Sequence, residues 1–116
     1  MVNVYESRLS RRPKLDASLQ EMIRRILVTG RPHMIILFGS RARGDAQPDS
    51  DYDLLLIEPS DLPRYKRAAR YRRALLGVVP AKDILGWTPA EVAAWQGVPN
   101  AFITTVVREG VVLYEQ

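Results

Sequence analysis

Met34-Ile-Ile-Leu-Phe-Gly39-Ser40-Arg-Ala-Arg43-Gly44-Asp-Ala-Gln-Pro-Asp-Ser50-Asp51-Tyr-Asp53-Leu-Leu-Leu-Ile57 is two apolar runs joined by a polar connection. The first run, 34–38, is continuous, rich in isoleucine and bounded by Pro32 and Gly39, which fits a strand buried on both faces. The connection, with Pro48 and several turn-prone residues over 44–50, returns the chain for a second strand that begins at about Asp51. Strand side chains alternate, so Asp51, Asp53, Leu55 and Ile57 share one face while Tyr52, Leu54 and Leu56 share the other. Two carboxylates therefore point the same way, close to where the first strand delivers Gly39-Ser40.

Upstream, Ser18 with Glu21 three residues on has the form of a capping box, and Leu19, Met22, Ile23, Ile26 and Leu27 keep helical spacing until Gly30. Residues 1–14 are polar and contain Arg12-Pro13, which argues for an N-terminal arm or edge segment. Downstream, Ser60 or Asp61 caps a helix over 62–77 with Pro63 in its first turn. Its apolar stripe is Tyr65, Ala68, Ala69, Leu75 and Leu76, with Arg72 in the middle; that side chain is read as extending out of the core on its apolar stem or pairing with a buried acid. A third strand over 78–85 carries Asp83, and Pro80 suits it to an edge. Thr88-Pro89-Ala90-Glu91 starts a helix that Trp95 closes; Phe102, Ile103, Val106 and Val107 give a last helix that stops at Gly110, before a short strand over 111–114. This order predicts an α/β (α+β) fold: one small domain over 1–116, a mixed β-sheet with helices packed mainly on one face.

Composition narrows the function classes. The chain has 116 residues, 47% hydrophobic and 26% charged, enough for one core but not for a separate substrate-binding domain, so a second substrate is expected from outside. No apolar run approaches the roughly 18 residues that span a bilayer, and the first residues lack the layout of a signal peptide, so no membrane role and a cytoplasmic location are expected. The absence of cysteine excludes disulfides, thiolate zinc sites and a thiol nucleophile. A net charge of +4 favours acidic partners. Much of it lies in Arg64, Lys66, Arg67, Arg70, Arg72 and Arg73, read as a solvated helix face, with a smaller group at Arg8, Arg11, Arg12 and Lys14. His33, Trp87, Trp95, Asp45 and Asp49 are read as structural or solvent-facing.

The chemistry these residues permit is that of a metal-bound triphosphate. Magnesium prefers oxygen ligands and is usually held by one or two carboxylates together with substrate phosphates. The Cα atoms of Asp51 and Asp53 would be about 6.5 to 7 Å apart on one strand face, in reach of a shared ion or of two ions about 4 Å apart. Asp83 is the candidate third carboxylate, because a neighbouring strand lies only about 4.8 Å away. Gly39 lets phosphates approach the backbone, and the Ser40 hydroxyl with the amides of the turn into Arg41 can donate to them. Ser50 is a further candidate for nucleotide binding.

The stretch from 39 to 54 resembles the signature of the DNA polymerase beta superfamily of nucleotidyltransferases, and within it the minimal nucleotidyltransferases found in HEPN toxin-antitoxin pairs. The resemblance is specific over 34–54, weaker through Asp83-Ile-Leu-Gly-Trp-Thr-Pro, and loose in the Arg-Glu-Gly-Val-Val-Leu-Tyr-Glu tail. It implies that Gly39 and Ser40 bind the β- and γ-phosphates, that Asp51 and Asp53 bind magnesium, that Asp83 helps to activate the attacking hydroxyl, and that Arg43 braces the loop or contacts phosphate. One departure is Lys82, where the family usually has an apolar residue before the third aspartate.

Three functions follow as expectations. The first is a magnesium-dependent adenylyltransferase that uses ATP and, as the family implies, modifies a tyrosine of a partner HEPN toxin and so acts as an antitoxin, in a hetero- or homo-oligomer. The second is a catalytically weak protein of the same fold that neutralises its partner by contact through the basic helix. The third takes nucleic acid or a small hydroxylated compound as acceptor; no aromatic stacking platform for nucleic acid is visible in the sequence, which ranks this reading last.

Overall fold

In the computed structural model, which describes residues 10–11, 15–78 and 82–116, the two apolar runs pair as the sequence predicts. Strands β2 (Met34–Phe38) and β3 (Tyr52–Ile57) are antiparallel neighbours with Phe38 opposite Asp53 and Met34 opposite Ile57. β5 (Val111–Glu115) lies antiparallel on the other side of β2, and β1 (Ser10–Arg11) runs parallel beside β5. β4 (Lys82–Trp87) is parallel to β3 and forms the opposite edge, so the five-stranded mixed sheet has the order β1-β5-β2-β3-β4. Of the third strand expected over 78–85, Val78 lies outside any strand, 79–81 with Pro80 lie outside the described residues, as does most of the predicted arm, and the strand is seen over Lys82–Trp87.

Alternation sorts the sheet into two faces. Ile35, Leu37, Tyr52, Leu54, Leu56, Ile84, Val111 and Leu113 pack on one side against Leu19, Met22 and Ile26 of α1 (Ala17–Thr29) and against Ala68, Tyr71 and Leu75. Met34, Ile36, Leu55, Ile57, Trp87 and Val112 pack on the other against Val92 of α5 (Pro89–Trp95) and Ile103, Val106 and Val107 of α6 (Phe102–Glu109). The larger helical layer lies on one face, as expected, and two short helices cover the second. No helix among the described residues is long and apolar enough to cross a membrane.

Two local readings change. Asp16, not Ser18, caps α1, its carboxylate accepting from the Leu19 amide at 2.8 Å. The helix predicted over 62–77 is two pieces, α3 (Arg64–Arg67) and α4 (Ala69–Ala74), which meet at Ala68. The break leaves Tyr65 and Leu76 exposed and turns Tyr71, absent from the predicted apolar stripe, into the core. The Tyr71 hydroxyl donates to Glu58 at 2.9 Å, and burial, followed by that carboxylate, pushes its acidity well below that of an ordinary tyrosine.

Arg72 extends outward as read, and its guanidinium donates to the Ile84 carbonyl at 2.9 Å, on the open edge of β4. Arg67 reaches Gly86 on the same edge at 3.4 Å. Outward-facing carbonyls of an edge strand invite pairing with another chain, and these guanidinium groups occupy them. The basic stretch is therefore only partly a solvated face: Arg64 and Arg67 also pair with Glu91 at 3.1 and 2.5 Å, and Arg70 with Glu58 at 3.0 Å.

Candidate active site

β2 ends at Phe38, and the chain turns at Gly39 into the single-turn helix α2 (Ser40–Arg43). Gly39 has φ of 75°, a conformation that disfavours any side chain, and it faces Asp53 so closely that a Cβ there would overlap Oδ2 and stand 3.1 Å from Cγ. The missing side chain is what lets the Asp53 carboxylate pack directly against the turn that leaves β2.

Asp53 and Asp83 are register partners on the parallel pair β3 and β4, so both project from the same face. Lys82 pairs with Tyr52 on the opposite face, so the one departure from the family pattern points away from the carboxylates. Asp51 stands one residue before β3, which starts at Tyr52 rather than at Asp51. Burial raises the Asp53 carboxyl above the usual carboxylate range, the negative charges of Asp83 and Asp51 raise it further, and Arg43 opposes them. Among the described residues no group of three such side chains is gathered tightly enough to hold a cation as it stands. The donor set nevertheless suits a hard divalent ion: oxygen ligands only, and a central carboxylate held among like charges.

Arg43, offered as either a brace or a phosphate contact, pairs with Asp45 at 3.1 Å and with Glu109, on α6, at 3.5 Å. Asp45 is thus a loop carboxylate, as read. The brace is a residue the sequence did not single out: Arg41 donates to the carbonyls of Ser50 and Pro48 at 3.0 Å and lies 4.0 Å over the Tyr52 ring. Its partners are main-chain oxygens, which leave no signature in side-chain identity. Ser50 closes the same loop, its hydroxyl accepting from the Gln47 amide at 2.8 Å. Behind this loop, on the side of the sheet away from the carboxylates, a cavity of about 200 Å³ is lined by Asp16, Leu19, Leu37, Arg41 and Tyr52. His33 is exposed and takes no part in the site, Trp87 is core, and Trp95 is half exposed.

Comparison with known families matches the nucleotidyltransferase domain over residues 19–105, which spans both aspartate strands and Gly39. Two solved structures share the fold. A structure described as a toxin-antitoxin with AMP-PNP is 17% identical with a TM-score of 0.59, covering 84% of this chain and 73% of that one. A candidate nucleotidyltransferase from Sulfolobus solfataricus is 19% identical with a TM-score of 0.54, covering 89% of this chain and 91% of that one. Comparison with curated proteins finds no matching relative. With the family matched across three quarters of the chain, and with Asp53, in register with Asp83, set against Gly39, this chain belongs to the nucleotidyltransferase domain family.

Proposed function

We propose that this nucleotidyltransferase moves AMP from magnesium-bound ATP to a hydroxyl of a partner protein, a tyrosine of a HEPN toxin, and thereby serves as its antitoxin. The observation that carries the reading is the in-register pair Asp53 and Asp83, with the Asp53 carboxylate packed against the Gly39 turn. The phosphates would lie along the Gly39-Ser40 turn, with the Ser40 hydroxyl and turn amides donating to them. Asp51 and Asp53 hold the metal, which would neutralise the departing pyrophosphate. Asp83, across from Asp53, takes the proton of the acceptor hydroxyl as its oxygen bonds to the α-phosphorus and the bond to pyrophosphate breaks. Arg43, beside Asp53 and tethered to Asp45 and Glu109, supplies fixed positive charge at the rim. The partner is supported by the sequence resemblance and by a fold neighbour described as a toxin-antitoxin with AMP-PNP.

Incubation with α-labelled ATP, magnesium and a HEPN protein encoded beside the chain tests this. Label on a tyrosine of that protein, absent with Asp53→Asn, is expected; no transfer under conditions where a known adenylyltransferase works would sink it.

Neutralisation by contact is a second reading, favoured by the exposed face of α3, where Tyr65 is 75% exposed and Lys66 has no acidic partner among the described residues. Arg67 and Arg70 are poor probes of it, since they are tied to Glu91 and Glu58. Lys66→Glu with Tyr65→Ala is the cleaner variant: contact predicts lost neutralisation with these and retained neutralisation with Asp51→Asn, and transfer predicts the reverse.

A further inference from the structure

The phosphates have a place beside Gly39, and the motif assigns none to the base. Phe38 precedes Gly39 and is the register partner of Asp53, on the carboxylate face. Phe102, at the start of α6, meets it edge-on with ring centroids 5.2 Å apart and planes at 83°, and meets Trp87, at the end of β4, at 5.7 Å and 41°. The three rings come from segments far apart in sequence, which is why no platform was visible there. Trp87 is 7% exposed and has the Arg64 guanidinium 4.3 Å over its ring, so it is closed to ligands. Phe102, in contrast, keeps 38% of its surface exposed. The far end of α6 is tied to the phosphate turn through Glu109 and Arg43 at 3.5 Å. α6 is thus held beside the site at both ends, by Phe102 on Phe38 and by Glu109 on Arg43.

We infer that Phe102, supported from behind by Phe38 and Trp87, is the stacking platform for the base of the donor nucleotide. The inference rests on the nucleotidyltransferase reading and adds to it a residue outside the glycine-serine and aspartate motif. An aromatic face beside a polar phosphate site offers the apolar contact a base requires, and base-aromatic stacking supplies affinity without hydrogen-bonded readout. The rigid backing matters because a ring already held by two neighbours loses little freedom on binding.

Calorimetry with two probes, magnesium ATP and magnesium tripolyphosphate, separates base from phosphate. The wild-type chain is expected to bind ATP about tenfold more tightly than tripolyphosphate. Phe102→Leu, which keeps apolar contact with Phe38 and Trp87, is expected to remove that advantage while leaving tripolyphosphate affinity unchanged, and Phe102→Trp to retain it. The platform is overturned if wild type binds both probes equally, if Phe102→Leu melting at the wild-type temperature binds ATP like wild type, or if it loses both probes alike. The first comparison needs no variant and stands even where Phe102→Leu does not fold. Equal binding of the two probes removes the platform and leaves the phosphate site; binding of neither removes the nucleotidyltransferase reading as well.

Discussion

Gly39 and Asp53 occupy one another's space: a Cβ on the glycine would overlap Oδ2 of the aspartate and stand 3.1 Å from its Cγ. Gly39→Ala would therefore displace the carboxylate and, at φ of 75°, strain the turn by about 1–3 kcal/mol. The expected outcome is a folded protein of lower melting temperature whose affinity for magnesium tripolyphosphate falls at least tenfold, measured by calorimetry and thermal unfolding.

Asp83→Asn removes the negative charge in register with Asp53. Asp53 is held above the usual carboxylate range by burial first and by Asp83 next, so its titration should move down in this variant. Loss of a general base typically costs about 10²- to 10⁴-fold in rate. Transfer should fall within that range while nucleotide still binds, with single-turnover kinetics reading the first and NMR titration of the Asp53 carboxyl the shift.

Glu91 ties α3 to the start of α5. Burial pushes its carboxyl up, but hydrogen bonds from Arg67, the Thr88 amide and Arg64 outweigh this and hold it at about 2, against an ordinary 4.5. Because the folded value is depressed, the stabilisation is complete above about pH 4.5 and is lost as pH falls toward 2. Glu91→Gln keeps an acceptor for the capping box and loses the ion pairs, so it should flatten the stability profile in that window at a cost of about 1 kcal/mol at pH 7. Denaturant titrations at a series of pH values between 2 and 7 check this.

Arg41→Lys cannot reproduce the planar fork that spans the Ser50 and Pro48 carbonyls, nor its stacking over Tyr52. Hydrogen exchange of the amides at 45–50 should rise about tenfold, with a loss of about 1 kcal/mol in stability.

Gly30→Ala would place a Cβ onto the Tyr71 hydroxyl and 3.0 Å from its Cζ. Its φ of −159° is ordinary extended backbone, so the cost comes from crowding alone. Displacing Tyr71 from Glu58 should lower stability by about 1–3 kcal/mol, seen in chemical denaturation.

Legibility followed the range of the interaction. β2 and the alternation of β3 were readable because continuous apolar runs and a period of two are written locally, and the Thr88 cap was readable because all its parts lie within four residues. The split of the helix at Ala68 was not, since Tyr71 is drawn inward by Glu58, thirteen residues earlier, and the edge of β4 recruits Arg67 and Arg72 through main-chain oxygens. The same holds at the site. Gly39, Asp51 and Asp53 could be named from spacing, whereas the register of Asp83 with Asp53 and the meeting of Phe38, Trp87 and Phe102 depend on how distant segments pack.

Supplying ATP labelled either at the α- or at the γ-phosphate, with magnesium and the partner protein, tests nucleotidyl transfer most directly. Label is expected on the acceptor from the α-position alone, abolished by Asp53→Asn; label arriving from the γ-position, or α-label undiminished in that variant, would contradict nucleotidyl transfer at this site.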